Sequence, residues 1–337
     1  MDSFYDIIIV GGGPVGLFAA TYARMHLAKV KLIESLSQLG GQVSALFPAK
    51  DIYDIPGFPA IKGGNFITYL QQQADSYHPE INLNETVKTI SKIDGGYLVE
   101  TSKAAYQTKS IIIATGAGAF APRKLRVSNA QALENKHLFY AVHNPKMFAN
   151  QKILIAGGGD SAVDWALDLN KIAADVTLID RRDQFRALES SVAKLKKAPV
   201  HLLTPFVIKD LEMEGSKVKV TLKKSRSKEN KTVIADSIIV NYGFMADNSL
   251  IHSWGLETEK RGIKVDRQMM TNLPNIFAIG DAASYEGRTD LIATGFGEVP
   301  IAVNTALTNI YPDKRQPLHS TQLVSAFKKK NKTREDQ

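Results

Sequence analysis

The sequence predicts an α/β protein made of two three-layer domains, each with a mainly parallel central sheet. Three observations support this fold class. The length of 337 residues suits about two domains. A unit of strand, glycine-rich turn, helix and strand occurs twice, and further apolar strands end in small or acidic residues. Hydrophobic residues make up 44% of the chain and charged residues 23%, which excludes a mainly disordered protein.

The first copy of the repeat lies near the start of the chain. Tyr5 to Val10 is an apolar run that predicts a buried strand, and Gly11 to Gly16 follows as a glycine-rich turn. Leu17 to Met25 has a helical pattern, and a second strand, Val30 to Ile33, ends at Glu34. An acidic residue at this strand end is the expected partner of a ribose hydroxyl.

The second copy has the same order of elements. Lys152 to Ala156 predicts a strand, Gly157 to Ala162 a turn, and a helix continues through Asp168. The next strand, Val176 to Ile179, ends at Asp180. In both copies 23 residues separate the first glycine from the acidic residue, and the offset between copies is 146 residues. One such turn is a weak signal, but two in this context predict two dinucleotide sites.

Each turn position has its own physical role. The first glycine permits the tight turn, the second lets the backbone approach a pyrophosphate, and the third position must be small for the helix to pack on the strand. The N–H groups at the helix N-terminus then face the phosphates. The candidate residues are Gly11, Gly13 and Gly16 in the first copy and Gly157, Gly159 and Ala162 in the second. We therefore expect two Rossmann-like dinucleotide-binding domains.

Basic residues after the second copy indicate its coenzyme. Arg181 and Arg182 directly follow Asp180, and Arg186 lies four residues further along. Guanidinium groups here can bind a 2′-phosphate through paired hydrogen bonds, whereas a carboxylate prefers a free 2′-hydroxyl. Three positive charges should outweigh one negative charge, so we predict NADPH, with Asp180 opposing that preference and leaving NADH open.

The first copy suits FAD. Glu34 has no adjacent arginine, as expected for a residue that binds an unphosphorylated ribose. Ile111 to Gly116 predicts an apolar strand ending in Ala-Thr-Gly, and Ile276 to Asp281 another ending in Gly-Asp. The carboxylate of Asp281 can accept hydrogen bonds from the ribityl chain of a flavin.

A further helix is expected near the C-terminus. Gly295 to Val299 precedes Pro300, and proline suits the first turn of a helix, so we expect the helix to begin there. This pattern is compatible with an ordinary helix start. It is also compatible with an N-terminus that faces the flavin pyrimidine and stabilises negative charge on the reduced ring.

These motifs together resemble those of the thioredoxin-reductase-like flavoproteins. The residues that carry the resemblance are Gly11 to Gly16, Gly40-Gly41-Gln42, Ala114-Thr115-Gly116, Gly157 to Ala162 and Gly280-Asp281. Thioredoxin reductases have a Cys-x-x-Cys pair where this chain has Tyr140 to His143, and the chain contains no cysteine. Disulfide reduction by its own thiols is therefore excluded.

A cysteine-free branch of that family is similar over nearly the whole chain, to about residue 327. Gly40 to Pro48, Ile52 to Gly57 and Gln316 to Thr321 match the thioredoxin-reductase-like ferredoxin–NADP reductases. The resemblance implies electron transfer between NADPH and ferredoxin or flavodoxin through bound FAD. A hydride passes to flavin N5, and single electrons leave the flavin, without a catalytic acid or base from the protein.

The resemblance also implies individual contacts. The implied FAD contacts are Glu34, Gln42, Phe47, Val87, Phe120, Asp281 and Thr321. Phe47 stands where the branch usually has a tyrosine stacked on the flavin, and Asp180 stands where a histidine usually precedes the arginines. His319 resembles the histidine that covers the other flavin face from the partner subunit, which implies a homodimer.

The motif order makes the FAD-binding domain discontinuous. We expect it to comprise residues 1–118 and 245–337, with the NADPH-binding domain, 119–244, inserted. Two other functions remain open on this scaffold: a flavin-dependent NAD(P)H oxidase or quinone reductase, and a non-catalytic flavin redox sensor.

Charge and composition limit the partners. The net charge of +8 is consistent with an acidic electron carrier, and no nucleic-acid-binding motif occurs. No apolar run approaches the ~18 residues of a membrane span, and the first residues lack the basic segment of a signal peptide. The seven histidines lack metal-ligand spacing. We expect a cytoplasmic protein without a metal site.

Overall fold

The chain divides into two compact units, Met1–Phe120 with Ala246–Gln337, and Ala121–Met245. The computed structural model describes residues 4–116, 118–247, 249–259, 262–314, 321–325 and 327–328. For 119–121, 244–247 and 249–250 it describes the backbone alone.

The first unit begins with the order of elements that the repeat predicts. Its first segment contains β1 (Tyr5–Val10), α1 (Pro14–Met25), β2 (Val30–Ile33), α2 (Gly41–Leu46), β3 (Asp51–Ile52), β4 (Ile61–Lys62), α3 (Gly63–Asp75), β5 (Glu80–Asn82), β6 (Val87–Ile93), β7 (Gly96–Thr101) and β8 (Ala105–Ile113). β1 and β2 have the predicted bounds. α1 begins three residues before the predicted Leu17, because proline at the first helical position has a suitable φ and lacks only an N–H that the helix leaves unpaired.

The inserted segment contains the second copy of the repeat. Its elements are β9 (Ala119–Pro122), α4 (Ala130–Leu133), β10 (Leu138–Phe139), a 3-10 helix (Pro145–Phe148), β11 (Lys152–Ala156), α5 (Asp160–Leu169), β12 (Asp175–Ile179), α6 (Glu189–Leu195), β13 (His201–Leu203), β14 (Phe206–Glu214), β15 (Lys217–Lys224), β16 (Asn230–Ala235), β17 (Ser237–Val240) and β18 (Phe244–Asp247). β9 and β18 form a two-stranded sheet.

The last segment returns to the first unit. It contains α7 (Ser249–Ser253), β19 (Thr258–Glu259), β20 (Gly262–Lys264), β21 (Ile276–Ala278), a 3-10 helix (Gly280–Ala282), β22 (Ala283–Ser284) and α8 (Ile292–Ile310).

A seven-stranded sheet is the centre of the first unit. Its order is β5-β2-β1-β8-β7-β6, with β21 also paired to β8. β1 lies parallel to β2 and β8, and its residues Ile7, Ile8 and Ile9 are fully buried. A parallel strand covered on both faces has a continuous apolar sequence, which is why the run Tyr5 to Val10 identifies it.

The second unit has a five-stranded parallel sheet in the order β10-β17-β11-β12-β13. One of its faces packs on an antiparallel sheet of β14, β15 and β16, and their facing side chains form a single core that includes Leu154, Ile238, Leu211 and Val220. The first glycine turn follows β1, a strand of the parallel part of the seven-stranded sheet, and the second follows β11 in the five-stranded parallel sheet.

α8 differs from its prediction. It begins at Ile292, and Pro300 lies inside it, so a helix start at Pro300 is wrong. The reason is tertiary packing: Val299, Ala302, Val303 and Ala306 are fully buried along one helix that packs on α1. Burial of this continuous apolar face outweighs the local preference of proline for a helix start.

No helix within the described ranges is both long enough and apolar enough to cross a membrane.

Candidate dinucleotide-binding sites

A cavity of about 420 Å³ opens at the carboxyl edge of the seven-stranded sheet. Its wall comes from α2 and from the residues that follow β1, β2, β8 and β21. The predicted site residues that line it are Gly11 and Gly13 of the glycine turn, and Glu34, Gln42, Phe47, Val87 and Asp281. The volume is in the range of small-molecule sites, and the carboxyl edge of a parallel sheet is where such folds bind ligands.

One further implied contact, Thr321, lies outside the cavity wall. Thr321 is exposed, does not line this cavity, and its carbonyl oxygen accepts a hydrogen bond from Ser325 Oγ at 2.9 Å. His319 and the side chain of Phe120 lie outside the described residues.

The first glycine turn is tightly packed at Gly11 and Gly16 but open at Gly13. Gly11 has a φ of +108°, and a Cβ there would stand 2.5 Å from the carbonyl oxygen of Ala114. A Cβ at Gly16 would stand 1.9 Å from the carbonyl oxygen of Gly11, whereas nothing lies within 4 Å of the corresponding position at Gly13. The first and third glycines therefore close the turn, and the second leaves its backbone accessible to a ligand.

The carboxylate of Glu34 links the end of β2 to this turn. It is 6% exposed, and its Oε2 accepts a hydrogen bond from the Gly12 amide at 2.6 Å. Oε1 accepts from the Leu36 amide at 2.8 Å and from Ser35 Oγ at 3.1 Å. Each carboxylate oxygen has two lone pairs, so capacity remains for a ribose hydroxyl.

Thr115 provides a buried polar atom without a partner. Its Oγ1 is inaccessible to solvent and has no hydrogen-bond partner among the described residues, although the residue lines the cavity. Leaving such a hydroxyl unpaired costs about 1–3 kcal/mol. A bound molecule with polar groups near Thr115 would satisfy it, and together with the open face of Gly13 this fits the predicted FAD.

Asp281 forms a salt bridge with a buried arginine. Arg288 has a side chain only 4% exposed, and its Nη2 lies 3.2 Å from Asp281 Oδ1. Its other nitrogens contact Asp290 Oδ1 at 2.6 Å and Glu298 Oε1 at 3.0 Å. Burial alone would lower the pKa of Arg288, but Glu298 and Asp281 outweigh it and raise that pKa. The guanidinium therefore stays charged.

Glu298 completes this cluster from α8. Its Oε2 accepts from the amide of Gly280 at 2.6 Å, and its Oε1 also accepts from the Tyr285 hydroxyl at 2.8 Å. Burial and the bond to Glu298 raise the pKa of Tyr285 to about 12. Sequence reasoning missed Arg288 and Glu298. The available signal was that Glu298 is the single charged residue in the apolar stretch 292–310.

The second unit repeats the geometry of the first. A Cβ at Gly157 would stand 2.4 Å from the carbonyl oxygen of Asn241, just as a Cβ at Gly11 would stand 2.5 Å from that of Ala114. Ala162 is fully buried under the turn, and Gly159 has open space around it. A Cβ at Gly158 would stand 2.4 Å from Asp180 Oδ2, so the Asp180 carboxylate lies over this turn as Glu34 lies over the first.

The three predicted arginines lie beside that carboxylate. The amide of Arg186 donates to the carbonyl oxygen of Gly158 at 2.7 Å, which folds the loop after β12 back onto the glycine turn. Arg181, Arg182 and Arg186 are exposed, and none has a salt-bridge partner in the part of the chain that the structure describes. Their charges are available to an anionic ligand.

Comparison with known proteins gives a consistent result. Residues 5–306 match the model of the family described as pyridine nucleotide-disulphide oxidoreductase. A ferredoxin–NADP reductase of Ligilactobacillus salivarius is 51% identical over 333 residues, covering 97% of this chain and 98% of that protein. A ferredoxin–NADP reductase of Halalkalibacterium halodurans is 48% identical over 325 residues, covering 96% and 98%.

Solved structures with a similar fold include two thioredoxin reductases. The Lactococcus lactis enzyme has a TM-score of 0.78 and 28% identity, covering 91% of this chain and 99% of that one. The T. acidophilum enzyme has a TM-score of 0.77 and 25% identity, covering 90% and 98%.

Proposed function

The chain belongs to the pyridine nucleotide-disulphide oxidoreductase family, and from relatives of about 50% identity over nearly its full length we infer that it is a ferredoxin–NADP reductase. It is an FAD-dependent enzyme that passes electrons between NADPH and ferredoxin. The observation that carries this function is the pair of equivalent glycine turns, one followed by Glu34 without an adjacent arginine and one followed by Asp180 and three exposed arginines.

We propose that each of the two units binds one of the two dinucleotides. The unit Met1–Phe120 with Ala246–Gln337 binds FAD, because its cavity combines the glycine turn, Glu34 and Asp281. The unit Ala121–Met245 binds NADPH, because exposed cations follow its second glycine turn.

The chain's own residues bind and orient FAD. Gly13 lets the backbone approach the pyrophosphate, and Gly11 and Gly16 close the turn beneath it. Glu34 accepts a ribose hydroxyl, and Asp281 accepts from the ribityl chain. Phe47, Gln42 and Val87 line the cavity. The Phe47 ring can stack on the flavin, and Phe120 completes the proposed contacts. When bound, FAD accepts a hydride from NADPH at N5 and releases electrons one at a time.

NADPH binding follows the same logic in the second unit. Gly157 and Gly159 place backbone amides at the pyrophosphate, and Ala162 lets α5 pack close to β11. Arg181, Arg182 and Arg186 bind the 2′-phosphate against the opposing charge of Asp180.

The absence of cysteine separates this chain from disulfide reductases of the same family. With no thiol in the sequence, electrons cannot leave through a dithiol of the protein. The electrons would therefore have to pass to an acceptor that is not a dithiol of this protein. Ferredoxin is the carrier that the relatives' names specify, and flavodoxin is a second acidic carrier that the net charge of +8 would suit.

Assembly and location are further parts of the proposal. We propose a cytoplasmic homodimer in which His319 and Thr321 of each chain cover the flavin face of the partner subunit. The exposure of Thr321, away from the cavity of its own chain, supports a role toward another subunit.

One experiment tests the function. The purified protein should be yellow, release FAD on denaturation, and lose its flavin absorbance on anaerobic mixing with NADPH in a stopped-flow instrument. Ferredoxin should then support rapid cytochrome c reduction. Oxygen or quinone turnover faster than ferredoxin reduction would instead indicate an oxidase or quinone reductase, and a flavin that NADPH does not bleach would indicate a redox sensor.

A further inference from the structure

The turn between β15 and β16 lies at the same edge of the second unit as Asp180. Because β14 and β15 are antiparallel, with Phe206 paired to Lys224, the end of β15 returns to the start of β14. The amide of Phe206 donates to the carbonyl oxygen of Asp180 at 2.9 Å, which fixes the start of β14 beside the strand end. The turn must therefore lie next to the segment that carries the three arginines.

A direct contact fixes this position. Ser225 Oγ donates to the carbonyl oxygen of Arg181 at 3.0 Å, and the Ser225 amide donates to the carbonyl oxygen of Pro205 at 2.8 Å. Residues 225–229, called here the basic turn, are thus attached to the backbone of the first arginine.

The basic turn presents unneutralised positive charge. Arg226 and Lys228 are exposed and have no salt-bridge partner within the described residues. The acidic residue of the turn, Glu229, is already paired with Lys224 Nζ at 2.8 Å. Arg226 has a φ of +59°, a conformation that favours glycine or asparagine, yet this position carries a guanidinium.

The positive charges of the basic turn can offset the repulsion between the Asp180 carboxylate and a 2′-phosphate. The Asp180 carboxylate lies over the glycine turn and would repel a 2′-phosphate. The loop after β12 carries the three arginines but also the exposed Asp183, which interacts electrostatically with Lys224. Charges within about 10 Å of each other still interact at 0.1 M salt, so cations on an adjoining turn strengthen phosphate binding.

We propose that the basic turn is a second wall of the 2′-phosphate site, in which Arg226 and Lys228 offset Asp180 and give the enzyme its preference for NADPH over NADH. The proposal rests on NADPH binding by this unit. The two side chains discriminate between coenzymes through charge and take no part in hydride transfer.

The test compares ligands that differ only in the 2′-phosphate. The variants are Arg226→Gln, Lys228→Gln and the double variant, each as the FAD-loaded full chain. Lys136→Gln is the matched control, because Lys136 is exposed and precedes β10, at the opposite edge of the same parallel sheet. Binding of 2′,5′-ADP and of 5′-AMP is measured by calorimetry, alongside kcat/KM for NADPH and NADH.

We expect the double variant to bind 2′,5′-ADP roughly ten-fold more weakly at low salt, with a smaller loss in each single variant. The loss should shrink as salt rises, and 5′-AMP binding should not change. The ratio of kcat/KM for NADPH to that for NADH should fall by the same factor, while Lys136→Gln behaves like wild type.

Three results would overturn the proposal. The double variant could bind 2′,5′-ADP like wild type, or it could lose 5′-AMP binding equally, which would indicate a structural role. It could also keep 2′,5′-ADP binding but lose ferredoxin-dependent turnover, which would assign the turn to the carrier. If wild type itself failed to prefer 2′,5′-ADP over 5′-AMP, the NADPH site of the proposed function would be wrong as well.

Discussion

Glu34 and Asp180 occupy equivalent places in the two copies of the repeat, but their neighbours differ. Glu34 receives three hydrogen bonds from the protein within its own first unit. Asp180 is followed by two exposed arginines with no salt bridge among the described residues. At the scale of single residues, coenzyme choice therefore depends on the balance between the carboxylates of Asp180 and Asp183 and the neighbouring cations.

Replacing Arg181 or Arg182 by alanine should weaken NADPH use far more than NADH use. Loss of one hydrogen bond to a charged group costs about 1.5–3 kcal/mol, or ten-fold or more in kcat/KM. Asp180→His should shift the preference the other way, because it removes the charge that opposes the phosphate. Steady-state kinetics with both coenzymes measures these shifts, and equal losses for NADPH and NADH would remove the arginines from the 2′-phosphate site.

Replacing Arg288 by glutamine should loosen FAD. Glu298 and Asp281 would lose their shared cation, and breaking a buried ion pair from one side costs about 3–5 kcal/mol. We expect a lower free energy of unfolding in urea and faster release of FAD from the holoenzyme, followed by flavin fluorescence. Arg288→Lys, which keeps the charge, should lower the free energy of unfolding less and release FAD more slowly than Arg288→Gln.

Arg267→Gln is the control for this prediction, since Arg267 is an exposed arginine of the same unit. FAD release from Arg288→Gln at the wild-type rate would show that the cluster does not position Asp281.

At the scale of elements, α8 sets the shape of the cavity through close packing. A Cβ at Gly295 would stand 2.5 Å from Val15 Cγ2 and 3.2 Å from the Cα of Gly280. Only a glycine lets α8 approach both α1 and the turn that carries Asp281. This close approach also places the N-terminus of α8 at the cavity, since its N-cap residue, Leu291, and its first residue, Ile292, line the wall.

Gly295→Ala should destabilise the protein by about 1–3 kcal/mol through overpacking, and it should weaken FAD binding by displacing Gly280. Gly297→Ala is the matched control in the same helix, because nothing lies within 4 Å of its added Cβ. That control should be stabilised by about 0.5–1 kcal/mol, as expected for alanine over glycine in a helix. Urea unfolding of both variants measures the difference, and equal effects would contradict the packing argument.

β1 and the end of α8 are joined at the opposite edge of the sheet. Burial alone would raise the pKa of Asp6, but hydrogen bonds from the Tyr311 hydroxyl at 2.5 Å, the Lys29 amide and Lys109 outweigh it and lower that pKa below 3.8. A carboxyl with a lowered folded-state pKa stabilises the protein above its unfolded pKa. That stabilisation is lost as the pH falls through the folded pKa.

Tyr311→Phe should therefore cost about 1–2 kcal/mol near neutral pH, where Asp6 is charged. The cost should shrink as the pH falls through the lowered folded-state pKa of Asp6, because a protonated Asp6 gains less from the hydroxyl. Tyr53→Phe removes the same group from an exposed tyrosine of the first unit and should have no effect at either pH. Urea unfolding across this pH range measures both, and a cost independent of pH would show that the bond does not depend on the charge of Asp6.

At the scale of the whole molecule, local patterns were sufficient for both nucleotide-binding repeats. β1, β2 and β11 have their predicted bounds because parallel strands buried on both faces require continuous apolar runs. The start of α8 was not predictable, since it depends on the contact of Gly295 with Val15, far apart in sequence. The Arg288–Glu298 pair and the contact of Ser225 with Arg181 also arise only when distant segments meet.

The C-terminal segment connects the single chain to the proposed dimer. Leu323 and Phe327 are buried at 3% and 5% exposure. The Phe327 ring lies 5.0 Å from that of Tyr77, with the Arg24 guanidinium 5.8 Å from its centroid. This part of the segment therefore packs on its own chain.

Truncation before Pro317 should leave FAD bound, because Asp281 and the first glycine turn are untouched and no described residue beyond Ile292 lines the cavity. It should alter ferredoxin-dependent turnover, since the flavin face of the partner subunit would lose its cover. His319→Ala should have a milder effect of the same kind. Deleting only residues 328–337 should change turnover modestly and mainly at low salt, because exposed charges are screened beyond about 10 Å at 0.1 M.

The Phe327→Ala variant distinguishes the packing of the C-terminal segment on its own chain from the proposed cover of the partner subunit's flavin. Losing a buried phenylalanine costs about 3–5 kcal/mol, so this variant reports the stability that the truncation also removes. If Phe327→Ala matched the truncation in stability but kept normal ferredoxin reduction, the functional loss would belong to residues 317–321. A truncated enzyme with wild-type flavin reduction and wild-type ferredoxin turnover would show that the segment takes no part in electron transfer, and the proposed cover from the partner subunit would be wrong.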